Sequence, residues 1–84
     1  MMLTYPIVFE KVAEAEGLPG HFYAHVPALG LTTHGVGIEG ARTAVLDLLP
    51  LWLSEKQAAG ETVPRPGEFF FSTIEVDEHA LQGA

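Results

Sequence analysis

The chain has 84 residues, room for a single domain (1–84) that leaves much of its surface wet. Eleven acids against four basic residues give a formal charge of -7, and Lys11, Arg42, Lys56 and Arg65 are scattered, which disfavours direct nucleic-acid binding and suits a basic partner. The absence of cysteine excludes disulfide scaffolds, thiolate zinc sites and thiol nucleophiles.

The first expected element is a strand in "LTYPIVFEKV", where Leu3, Tyr5, Ile7 and Phe9 alternate on one face. Pro6 cannot donate a ladder hydrogen bond, so this strand belongs at an edge. "AEAEGLPG" reads as an acidic loop with turn residues. In "HFYAHVP", Phe22, Ala24 and Val26 point one way and His21, Tyr23 and His25 the other. Pro27 stops this second strand and "PALG" turns the chain at Gly30. "LTTHG" returns as a third strand. A tight turn puts Leu31 and Thr33 on the Phe22 face, and Thr32 and His34 on the His21 face.

From Gly37 to Gly60 the period changes. Ile38, Ala41, Val45, Leu48, Leu49 and Trp52 recur at three- and four-residue steps, an amphipathic helix with Gly60 as its stop. Pro50 removes the bond to the carbonyl of Leu46 and should kink it. "ETVPRPGE" is an extended, proline-stiffened connector, and "FFFSTIEV" (Phe69 to Val76) a last strand. Asp77 is placed to cap a helical turn in "EHALQ". The order βββαβ, with one long kinked helix on one face of an antiparallel sheet, is a two-layer α+β sandwich.

Hydrophobic residues make up 48% of the chain and charged ones 18%, a rich balance at this length, so some apolar surface should end in a subunit contact. Three consecutive phenylalanines on a strand cannot share a face, which implies a contact outside the monomer or a second covering layer. Trp52 reads as core. No basic stretch precedes an apolar core at the start, and no run reaches the roughly 18 apolar residues of a spanning helix. A soluble, cytoplasmic protein without membrane contact is expected.

Chemistry is sparse. On a strand His21 and His25 stand roughly 13 Å apart, too far for one zinc. His25 and His34 can approach diagonally across the hairpin, but two ligands without a third make a poor site. Glu14 and Glu16 in the loop, and Asp77 and Glu78 near the end, read as solvated surface. Neither Ser54 nor Ser72 sits in a nucleophile elbow. "GVGIEG" imitates a dinucleotide fingerprint but lacks the βαβ unit around it. No catalytic, metal or cofactor site is therefore expected.

The order "GHFYAHVPALG", "THG", "IEGARTAV" and "GETVPRP" resembles the HicB-like antitoxin family, from about Tyr5 to Pro66. Gly30 alone stands where members usually carry Pro-Gly, and Val36 and Gly37 replace the Asp-Thr that enters their helix. Gly40 stands in place of a second acid. Members often continue into a DNA-binding arm, whereas this sequence stops at Ala84, so a stand-alone domain is expected. The resemblance implies a degenerate ribonuclease-H-like βββαβ domain that forms dimers or tetramers and masks a small basic RNase toxin.

Composition leads to the expectation of a non-catalytic module that binds itself and a basic partner, and the resemblance implies that it is antitoxin-like and masks a basic toxin by occlusion. Tyr23, His25 and His34 would make the contact, with Glu14, Glu16, Asp77 and Glu78 as an acidic rim. The alternatives are a vestigial metal-dependent hydrolase using His25 and His34, and an orphan structural oligomer.

Overall fold

The computed structural model describes residues 2–82. Three antiparallel strands, β1 (Val8–Lys11), β2 (His21–Val26) and β3 (Leu31–Val36), lie in the order β1-β2-β3. They are followed by a 22-residue helix, α1 (Gly37–Ala58), and a short terminal helix, α2 (Glu78–Gln82). The α+β class follows directly from this arrangement.

The hairpin forms as its turn chemistry dictates. Pro27–Leu29 make one 3-10 turn, and Gly30 closes it at φ 65°, a left-handed value that favours glycine. That turn sets Val26 opposite Leu31, Ala24 opposite Thr33 and Tyr23 opposite His34. Leu31 and Thr33 thus fall on the inner face, and Thr32 and His34 on the outer one, as the alternation predicts. The first strand is shorter than its sequence pattern: pairing begins at Val8, two residues after Pro6, and ends at Lys11 opposite Phe22. Residues 2–7 lie outside the ladder.

The core is small and built of small side chains. Ala24 and Val26 from β2 meet Ala41 and Val45 from α1, with Tyr5, Ile7, Phe9, Phe22, Leu29, Leu31 and Leu49 packed around them. Small residues let the helix come close to the sheet. The approach is tightest between β3 and the first turn of α1, where Gly35 lies against the backbone of Gly40. Helix α1 rests mainly on β2 and β3 and reaches the β1 side where the Arg42 guanidinium lies 5.4 Å from the Phe9 ring centre.

Two expectations about this helix need correction. Ile38 is 46% exposed, because Gly40 and Ala41 are the residues of the first turn that face the sheet. Trp52 is only half-buried and lies at the margin of the packed layer, with the Lys56 ammonium 5.2 Å from its ring centre. The helix runs through Pro50 as one element and ends in a Schellman turn: the Glu61 amide donates to Lys56 and the Gly60 amide to Gln57. Its start has no side-chain cap, consistent with Val36 at that position.

The expected last strand also needs correction. Residues 68–76 belong to no strand, so the described residues give βββα followed by an extended arm. A strand exists only through its partner, and residues 68–76 pair with none of the three strands. The radius of gyration is 16.3 Å, against about 12 Å for a compact chain of this length.

Candidate functional site

The outer face of the hairpin is the most organised polar surface of the molecule. Alternation along β2 brings His21, Tyr23 and His25 to it, and β3 adds Thr32 and His34. β1 adds Glu10, which pairs with Tyr23 in the ladder. The loop before β2 adds Glu16 from the 3-10 turn Glu14–Glu16.

The side chains settle into four hydrogen-bonding contacts. His21 Nδ1 lies 3.1 Å from His34 Nδ1, with ring centres 5.2 Å apart. His25 bridges two neighbours: its Nε2 lies 3.0 Å from Glu10 Oε1 and its Nδ1 2.9 Å from Thr32 Oγ1. The Tyr23 hydroxyl donates to Glu16 Oε2. Tyr23 also stands edge-on to His34, with centres 6.5 Å apart. The bond to Glu16, then desolvation and the negative charges of Glu16 and Glu10, hold the Tyr23 phenol above its ordinary value near 10.

This geometry sorts the expected residues. Tyr23, His25 and His34 share one face, and Glu16 is bonded to Tyr23 on it, while Glu14 opens the same 3-10 turn as Glu16. Asp77 and Glu78 stand elsewhere, beyond the exposed arm, where Asp77 Oδ1 accepts the His79 amide at 2.9 Å. His34 takes the diagonal to His21 and not the one to His25. Strand twist brings one diagonal of an antiparallel pair together and opens the other. Sequence parity alone leaves that choice open, and it also missed Glu10 as the partner of His25, because the β1 register is unknown until the strands pair.

Chemically, the face offers aromatic surface, hydrogen-bond donors and acceptors, and acids at one margin. A His–carboxylate pair exposed to this degree contributes little to stability and leaves both groups free to meet a partner. Among the described residues, no group of three or more His, Asp or Glu side chains is placed to hold a metal ion. Also among them, no helix is long and apolar enough to cross a membrane. No protein-family model, curated protein or solved structure matches the chain.

Proposed function

We propose that this chain is a non-catalytic, antitoxin-like binding module that self-associates and neutralises a small basic RNase by occlusion. The observation that carries the reading is the outer hairpin face: Tyr23, His25 and His34 stand together on it, with Glu10 and Glu16 already bonded into the same surface. Aromatic and imidazole groups of this kind supply contact area at little cost in side-chain freedom, and they fill the centre of many protein interfaces. The acids at the margin, within a chain of net charge -7, steer a basic partner towards that face.

The resemblance to HicB-like antitoxins supplies the identity of the partner, and with it the ribonuclease-H-like name for the domain and a cytoplasmic location. The α+β architecture and the long helix behind the sheet are compatible with it.

The test is co-purification with the small basic protein encoded beside this chain. Wild-type protein captures it and suppresses its RNase activity. The triple variant Tyr23→Ala, His25→Ala, His34→Ala keeps its circular-dichroism spectrum and loses both effects. Capture by the triple variant at wild-type affinity removes this face from the function.

A further inference from the structure

Residues 68–76 carry the largest exposed apolar surface of the chain. Phe70 is 88% exposed, Ile74 86%, Phe71 65% and Val76 59%. In extended backbone Phe70, Ile74 and Val76 fall on one side, giving the arm an apolar edge with Ser72 between. Such a pattern has the character of a buried strand, yet the segment pairs with no strand of its own chain.

The sheet has a matching vacancy. β1 is an edge strand with Phe9 on its inner side, and Tyr5 and Ile7 in the segment before it, all three half-buried at the margin of the core. An open groove of about 410 Å³ lies beside this segment, lined by Leu3, Leu53 and Val63 together with the polar Gln57, Glu61 and Arg65. The root of the arm is fixed at the same place: the Tyr5 hydroxyl donates to the Pro64 carbonyl at 2.8 Å. The arm therefore starts beside the strip it would fit, after a connector in which Pro64 and Pro66 restrict the backbone. A stiff connector lowers the effective concentration for closure on its own edge, while leaving the edge of a second copy accessible.

We infer that residues 68–76 of one copy add to the β1 edge of a second copy, and that the exchange is reciprocal, giving a two-fold dimer. The inference deepens the self-association proposed above and rests on it. Burial of Phe70, Ile74 and Val76 on that side removes roughly 400 Å² per arm, using about 200 Å² for a phenylalanine and less for the smaller residues. Two arms and the equal surface that they cover then reach roughly 1,600 Å², the size of a standard stable interface. The second copy supplies both halves of that match, an unpaired edge strand and an unpaired apolar arm, in equal numbers.

The test uses the full chain. Light scattering gives the mass of two chains for the wild type, falling to one chain only on dilution. The variant Phe70→Asp with Ile74→Asp raises the dimer dissociation constant roughly a hundredfold or more, with an unchanged circular-dichroism spectrum. In the wild-type dimer, hydrogen exchange is slow both at Val8–Lys11 and across residues 69–76, and the variant loses both protections together. A wild-type monomer at every concentration overturns arm exchange and self-association alike. A dimer indifferent to the two aspartates, or one with slow exchange in the arm but not in β1, overturns the exchange alone. Slow exchange at both sites in a monomer shows the arm closed on its own sheet and also overturns it.

Discussion

Gly35 and Gly40 meet backbone against backbone: a β-carbon at Gly35 would stand 2.4 Å from the Gly40 carbonyl and 2.7 Å from the Ala41 amide nitrogen. The reverse is not true, for a β-carbon at Gly40 finds its nearest neighbour at 3.4 Å, an ordinary contact. This one-sided fit fixes how closely α1 lies on β3, and so where Ala41 and Val45 enter the core.

The asymmetry predicts opposite outcomes for two similar substitutions. Gly35→Ala forces helix and strand apart and should cost about 1–3 kcal/mol or more, as overpacking does. Gly40→Ala removes a flexible residue from a helix and should be neutral or stabilising by up to about 1 kcal/mol. Urea denaturation of both variants checks the pair. Equal loss in both would show that the helix does not ride on this contact.

The core makes a second contrast. Val26 is 1% exposed and touches the layer where β2 meets α1, whereas Leu46 is 61% exposed on the same helix that covers it. Val26→Ala should cost about 2 kcal/mol through lost burial and the cavity left behind. Leu46→Ala removes more carbon but should cost under about 0.5 kcal/mol, since that carbon already faces water. Thermal unfolding of the two variants gives the order directly.

Particular residues show where the sequence was readable. Pro27 and Gly30 bracket a turn whose closure dictates the β2–β3 register, so the outward placement of Tyr23, His25, Thr32 and His34 follows from alternation alone. The partners of those side chains do not. Whether His34 meets His21 or His25 depends on strand twist, and the pairing of His25 with Glu10 depends on a β1 register set by packing around Pro6 and Phe9. The arm shows a different limit. Phe69–Val76 has strand composition, but composition cannot supply a partner edge, and within this chain the segment pairs with none. Ile38 misled for a simpler reason: helical spacing assigns it to the apolar stripe, but the stripe begins one step later, at the glycine that touches β3.

The Tyr23 phenol gives a prediction in pH. Its value is raised in the folded protein, so the folded state holds that proton more tightly than the unfolded chain does. The contribution of the bond to Glu16 is therefore fully present below pH about 10, the ordinary phenol value, and is lost as pH climbs through the folded value. Phenolate absorbance should show Tyr23 titrating above the ordinary range. Glu16→Ala removes the largest cause, the acceptor of the hydroxyl, together with one of the charges, and should bring the midpoint down towards 10. An unchanged midpoint in that variant would place the cause elsewhere.

The two histidine diagonals separate a contact surface from a catalytic pair. His21 and His34 share a short N···N contact, which needs a proton on one nitrogen and a free lone pair on the other. His25 spends both of its nitrogens on Glu10 and Thr32. Double-mutant cycles with alanine should therefore give a coupling of about 0.5–1 kcal/mol between His21 and His34, in the range of favourable cross-strand pairs. The cycle between His25 and His34 should give a smaller coupling, since they share no hydrogen bond and meet only through the Tyr23 ring, 5.8 Å from His25 and 6.5 Å from His34. A metal hydrolase built on His25 and His34 requires the reverse: a strong coupling on that diagonal once zinc or manganese is added, and stoichiometric metal retained through purification without a His-tag. Coupling on the first diagonal that persists with a chelator present leaves the imidazoles as interface groups, positioned by twist and available to a partner along the whole outer face.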